Sequence, residues 1–294
     1  MNRASWAVLA AAITGVQVGA AIVATRYVAA DISPASLAFL RYAIGVACLV
    51  PAVALARRVR FARADILPIA ALGIGQFGIL IALLNYGLQT VPAGRGALIF
   101  ATFPLLTLVA AALLGHERVT SRKISGILAT LLGVFLALSD KLLNGASVHA
   151  GRAALAGEIA ILASAAVGAV CSVLYRPYLA RYPTLPVSAF AMMAAAAALL
   201  IPAAVDDLFV APAQLSRAAW AAIVFIGLSS GGGYVLWLWA LKNIAATRVT
   251  VFLALSPITA AALGIALLGE PVTAGMVAGA VCVAAGLWLA SREA

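Results

Sequence analysis

Ten apolar runs, separated by short gaps that hold nearly all the charge, constrain this chain more than any other feature. They lie at roughly 5–27, 34–56, 66–89, 94–115, 122–140, 153–176, 185–205, 217–241, 247–268 and 273–291. Each is close to the ~20 residues a helix needs to cross the hydrocarbon core of a bilayer. Lipid offers backbone groups no partner, so a spanning segment must be a helix or part of a closed barrel. The runs lack the period-two alternation of barrel strands, which leaves helices. Composition agrees. Of 294 residues, 65% are hydrophobic and 10% charged, whereas a soluble domain is nearer half apolar and a quarter charged. Little chain remains for a soluble domain, so a cytosolic enzyme, a secreted disulfide scaffold and a peripheral protein with one anchor are excluded. The first run starts near Ser5 with no small-residue cleavage site and reads as a retained span.

The net charge of +10 would point to nucleic acid in a soluble protein. Here the basic residues sit between spans, where they set orientation, and no nucleic-acid partner is expected. With the N-terminus placed inside, 13 Lys and Arg fall in inner segments and 5 in outer ones, the cluster Arg57, Arg58, Arg60 and Arg63 weighing most. This places both termini in the cytoplasm of a bacterial-type inner membrane. Cys48, Cys171 and Cys282 lie within runs and are expected as buried free thiols.

A shift of 153 residues superimposes one half of the chain on the other without a gap. Gly78 matches Gly231, Arg95 matches Arg248, Pro104 matches Pro257 and Glu117 matches Glu270. Thr120 with Thr273, Gly126 with Gly279 and Gly133 with Gly286 continue the register. Matched Pro, Glu, Arg and Gly are hard to obtain from composition alone. The organisation expected is two five-helix repeats, 1–143 and 153–294. An odd number of spans per repeat inserts the second upside down relative to the first. The fold class is therefore an all-α integral membrane protein of ten helices, in two inverted repeats around a central cavity, an arrangement that serves alternating access in transporters.

The stretch Gly233-Tyr234-Val235-Leu236-Trp237, then Ala246-Thr247, Leu255-Ser256-Pro257, Leu268-Gly269-Glu270 and Gly279, resembles the second half of EamA-type transporters, of the drug/metabolite transporter superfamily. Asn85-Tyr86-Gly87-Leu88-Gln89, Pro92-Ala93, Phe103-Pro104, Glu117 and Gly126 resemble the first half, and Phe39-Leu40-Arg41-Tyr42 resembles the family's arginine in the second span. The resemblance covers essentially the whole chain and is nearest the bacterial amino-acid exporter branch, aromatic amino-acid exporters included. It implies ten helices, a central cavity and export of amino acids, drugs or other small metabolites.

No enzyme constellation is present: the sequence has no HExxH, no Cys/His metal spacing and no GxSxG. Gly231-Gly232-Gly233 lacks the Lys-Ser/Thr of a phosphate loop and reads as close packing or as backbone lining a cavity. No cofactor or metal is expected. Without nucleotide motifs, transport is secondary or facilitated.

Polar residues inside spans are costly unless they face a cavity or a partner, which singles out Gln17 and Gln76, with Ser256 beside them. Tyr86, Tyr234 and Trp237 carry rings that either stack on a substrate or fill the core. Arg41, about 10 Å into its span at 1.5 Å per residue, either pairs with a substrate carboxylate or serves structure. Pro104 and Pro257 read as kinks in mid-span. Glu117 and Glu270, before Thr120 and Thr273 as helix caps, read as structural turns or gates. All nine acids lie in or beside the gaps, so proton coupling has no obvious residue. The reading is an exporter of small metabolites, amino acids first, acting on a small-molecule substrate in the lipid bilayer, as a monomer with a dimer left open. The alternatives are a multidrug or nucleotide-sugar-like carrier and, further off, a membrane-embedded enzyme.

Overall fold

The computed structural model describes residues 3–56, 59–115, 120, 121, 124–126, 128, 129, 131–133, 135, 136, 148–270 and 273–291. Among them every regular element is helical. Eight helical stretches are long and apolar enough to cross a bilayer, and they fall on eight of the ten runs. The first two are α1 (Arg3–Val28) and α2 (Pro34–Leu55). The third run holds α3 (Arg63–Gly73), a π-helical turn (Ile74–Ile79) and α4 (Leu80–Leu88). The fourth divides into α5 (Ala93–Phe100) and α6 (Phe103–Leu113). After α7 (Ile124–Gly133) come α8 (Val148–Leu174), α9 (Arg176–Arg181) and α10 (Thr184–Asp206). The short α11 (Ala211–Gln214) leads into α12 (Arg217–Asn243). The ninth run holds α13 (Ala246–Val251), a 3-10 turn (Phe252–Ala254) and α14 (Leu255–Leu268), and α15 (Ala274–Ser291) fills the tenth. Glu117 lies outside the described residues, as do residues 137–147, which contain the expected end of the first repeat.

Local chemistry sets the ends. Ser33 caps α2, its hydroxyl accepting from the Ser36 N–H at 3.2 Å with Pro34 in the first turn. Ser216 caps α12 in the same way, accepting from Ala219 N–H at 3.1 Å. Both use a short side chain to satisfy an orphan donor of the first turn, and proline is harmless there because its missing N–H has no partner to lose.

That same rule corrects the expectation for the repeat-matched prolines. Pro104 and Pro257 do not kink continuous helices. Pro104 is the second residue of α6, after a break at Ala101 and Thr102. Pro257 is the third residue of α14, after the 3-10 turn. Each stands in the first turn of a fresh segment, so no interior hydrogen bond is lost. The fourth and ninth spans are thus both broken, at corresponding places.

The packing follows the 153-residue shift as well. The first span, α1, packs on α12 and α14; its counterpart α8 packs on α4 and α6. The second span, α2, packs on α10 and α12, and α10 packs in turn on α3. Glycines set the closest approaches. Gly15 lies against Phe252 and Leu255, while its counterpart Gly168 lies against Phe103 and Leu80. Between α2 and α12, Gly45 and Gly231 face each other, and a Cβ on Gly231 would stand 3.0 Å from the Gly45 carbonyl oxygen. A side chain there would push the two helices apart by a few tenths of an ångström, and small residues are what let helices pack this closely.

Large apolar side chains such as Leu55, Leu113 and Val205 stand exposed around the outside, as a lipid-facing surface requires. The three cysteines are free. Cys171 is buried as expected, but Cys48 faces outward. A thiol within an apolar run is as compatible with lipid as with the core, so run membership could not tell the two faces apart.

Candidate functional site

At the centre, α1, the π turn and α4, the break between α5 and α6, α12 and the 3-10 turn close around a small cavity. Thr14, Val18, Gln76, Leu80, Phe100, Phe103, Tyr234, Trp237 and Leu253 line it, and it encloses about 30 Å³. That admits no more than a couple of waters.

The polar side of this region is built on one stretch of α12. Gln17 donates from Nε2 to the Ser229 hydroxyl at 3.2 Å, and its amide lies where a Cβ of Gly233 would be. Next along the helix, the Ser230 hydroxyl accepts from Arg41 Nε at 2.6 Å and donates to the Ile226 carbonyl at 2.6 Å. The glycine triplet thereby acquires separate uses: Gly231 admits α2, and Gly233 makes room for the Gln17 amide. One turn beyond Ser230 and Gly233 come Tyr234 and Trp237, because residues three and four apart share a helix face.

Rings make up the remainder. Phe77 meets Tyr234 edge-on with centroids 4.4 Å apart, and Tyr42 lies 5.4 Å from Phe77. The Tyr42 and Tyr234 hydroxyls are 3.5 Å apart. On the other side Phe103 meets Trp237 at right angles with centroids 6.1 Å apart. Such edge-to-face pairs are favourable beyond the area they bury. Three polar atoms in and around these rings are buried without a hydrogen-bond partner among the described residues: Gln76 Oε1, Trp237 Nε1 and the Tyr175 hydroxyl. Leaving one such group unsatisfied costs about 1–3 kcal/mol. Water or a ligand with complementary groups would relieve it.

The sequence candidates separate clearly. Gln76, Tyr234 and Trp237 line the cavity together, and Gln17 on α1 bonds the adjoining turn of α12 through Ser229. Ser256 is buried nearby, but its hydroxyl is spent on the Leu253 carbonyl at 2.7 Å. Tyr86 is carried away from the cavity, 47% exposed on α4, because Asn85 and Gly87 occupy the buried side of that turn. Pro257 lines a separate apolar groove with Gly94 and Met276. Arg41 is buried between α2 and α12. Nothing in the sequence marks Phe77 or Phe100 as facing this point, and Phe103 is marked only by its motif with Pro104, since a phenylalanine in an apolar run carries no signal of which way it points.

Both ends of the bundle are tied by charge. At one end Glu270 accepts from the Ala93 and Gly94 N–H groups at 2.9 and 3.3 Å, so it caps α5, an element distant in sequence. Arg26 stands 4.0 Å from Glu270 and donates to the Leu88 and Gln89 carbonyls at 2.7 Å each. Thr273 caps α15 as expected, accepting from Met276 N–H. At the other end Arg181 donates to both oxygens of Asp65 at 3.0 and 3.1 Å, and the Tyr182 hydroxyl donates to Asp65 at 2.7 Å. Among the described residues no group of three or more His, Cys, Asp or Glu is placed to hold a metal ion.

The sequence pattern of the EamA-like transporter family matches this chain twice, over residues 5–139 and 155–292. An uncharacterized transporter of Archaeoglobus fulgidus is 27% identical over 98% of this chain and 99% of its own length. A protein of Streptantibioticus cattleyicolor, named a probable terminal-alkyne amino-acid exporter, is 34% identical over 80% of this chain and 76% of its own. A probable amino-acid metabolite efflux pump of Salmonella typhimurium is 24% identical over 74% and 73%. One crystal structure matches 99% of the chain with a TM-score of 0.74 at 21% identity, a likeness of fold.

Proposed function

The chain belongs to the EamA-like transporter family and is a transporter, not an enzyme; on that premise we propose that it exports small metabolites, amino acids first among them. The observation that carries this is the central cavity, where two kinds of side chain meet. Gln17 and Gln76 offer amides to the polar end of an amino acid, and Phe77, Phe103, Tyr234 and Trp237 offer rings to an apolar or aromatic side chain. The relatives named as amino-acid exporters support the same substrate class.

The mechanism we favour is alternating access. A cavity of about 30 Å³ is too small for an amino acid, so substrate enters only when the helices rearrange. The contacts exchanged under the repeat shift fit two inverted halves, 1–143 and 153–294, that trade conformations around this point. The breaks beside Pro104 and Pro257 are where the fourth and ninth spans bend. A single chain suffices for the cycle, seated in a bacterial-type inner membrane with both termini cytoplasmic. With no carboxylate lining the cavity among the described residues, flux follows the substrate gradient without a proton gradient.

Uptake of labelled amino acids into proteoliposomes, with and without a pH gradient, tests the reading. Trp237→Ala lowers transport of bulky substrates about tenfold, the loss of one ring contact, while small substrates are little affected. Gln76→Leu lowers transport of all amino acids alike, because it removes a polar partner common to every one. Wild-type rates in both variants overturn the site; a strict requirement for a pH gradient overturns the uncoupled mechanism.

A further inference from the structure

Arg41 has no described counter-ion. Its side chain is 4% exposed in the middle of the protein. Among the described residues its one hydrogen bond runs from Nε to Ser230, whose hydroxyl is already committed to Ile226. A guanidinium has five N–H donors, so its terminal nitrogens find no protein acceptor among those residues. The described carboxylates all lie elsewhere, and four of them are held by other groups. Asp65 is taken by Arg181, Glu158 by Arg95 at 3.7 Å, Glu270 by the α5 N-terminus, and Asp207 by the Ser33 N–H at 2.7 Å. Asp31 and Asp206 stand at helix ends. The Tyr42 ring, with its centroid 5.8 Å from the guanidinium carbon, gives only partial compensation. A buried cation in the membrane core is costly unless an anion meets it.

We propose that Arg41 is the anion subsite of the transport site, so that the carrier accepts carboxylates and zwitterions and rejects cations. The placement fits. Ser230, which orients Arg41, lies one helical turn from Tyr234, and the Tyr42 ring beside the guanidinium reaches Tyr234 through its hydroxyl. A carboxylate held by the planar fork of Arg41 sits at the polar edge of the cavity, and the rest of the substrate extends over Phe77, Tyr234, Phe103 and Trp237. An ammonium group meets ring faces and amide oxygens there, with no carboxylate among the described residues of the lining. A substrate whose only charge is positive therefore faces Arg41 with like charge and nothing opposite.

This inference rests on the export reading, and the experiment separates the two. Binding to the purified full chain in detergent is measured for four probes of one ring size. They are L-phenylalanine (zwitterion), 3-phenylpropionate (anion), and 2-phenylethylamine and phenylalaninamide (cations). The first two are expected to bind at least about tenfold more tightly than the amines. Arg41→Gln brings all four to within about threefold of one another, and Arg41→Lys keeps part of the preference, because a point charge lacks the fork. Equal or tighter binding of the amines by the unaltered protein, binding of none of the four, or an unchanged preference in Arg41→Gln overturns the subsite. Anion preference with no net phenylalanine flux in proteoliposomes keeps the subsite and overturns amino-acid export instead.

Discussion

The two ends of the bundle are closed by different chemistry, although the chain is built from a repeat. At one end Glu270, 14% exposed, accepts from two backbone N–H groups and faces Arg26. At the other, Asp65 is paired with Arg181, whose side chain is 59% exposed. The residues concerned are not counterparts: the 153-residue shift carries Arg26 onto Leu179, Asp65 onto Ala218 and Arg181 back onto Val28. The first latch unites a carboxylate with the positive end of a helix, shielded from water, where charge-assisted bonds are strong. The second is open to solvent and salt, where ion pairs contribute ~0.2–1 kcal/mol. Of the two described latches, the shielded one is the stronger.

The largest effect is expected at Glu270. In a chain whose native cysteines are replaced and Thr14 is made cysteine, Glu270→Gln should speed labelling by an impermeant maleimide from the Glu270 face by roughly five- to tenfold, as the cap on α5 is lost. The corresponding Asp65→Asn should speed labelling from the opposite face by less than about threefold. Raising salt from physiological to 1 M should mimic Asp65→Asn in the unaltered latch, because exposed charges are screened, and should leave the Glu270 face nearly unchanged. Equal responses at the two faces would break the comparison.

The smallest effect belongs to Asp207, beyond the end of α10. Burial pushes its carboxyl up, but hydrogen bonds from Ser36 and Ser33 outweigh that and hold it below the ordinary value of 3.8. A group lowered in the folded state contributes stability that is complete above its ordinary value and fades as pH falls through the folded one. Acidification into that window should therefore lower the melting temperature of the unaltered protein slightly more than that of Asp207→Asn. An identical acid response in the two proteins would remove Asp207 from the account.

Much of the architecture was legible in the sequence. Eight of the ten runs returned as membrane-length helices nearly at their expected bounds, because a segment in lipid must satisfy its own backbone. Thr273 announced a helix start and acts as a cap, whereas the caps Ser33 and Ser216 emerge only from the structure. The site was legible only where polarity marked it. Gln17, Gln76 and Arg41 stood out as costly residues, and each lies in the interior beside α12 or the cavity. Apolar residues gave no such signal. Tyr86 faces outward while Tyr42 is fully buried; nothing singles out Phe77, and Phe103 stands out only through its motif with Pro104.

The division has a physical cause. In water, an amphipathic pattern distinguishes core from solvent. In a bilayer both surroundings are apolar, so periodicity no longer tells which face of a helix points inward. What the sequence by itself determined was therefore local or internally repeated: the spans, their caps, the 153-residue register and the few buried polar groups. What only the tertiary structure decided was which distant segments meet. It brought Glu270 to the start of α5, Arg41 to Ser230 and the Gln17 amide to Gly233. It also turned the fourth and ninth spans into broken helices beside their prolines. Those choices depend on shape at contacts between helices far apart in the chain, where a glycine or a hydroxyl has meaning only once its partner is in place.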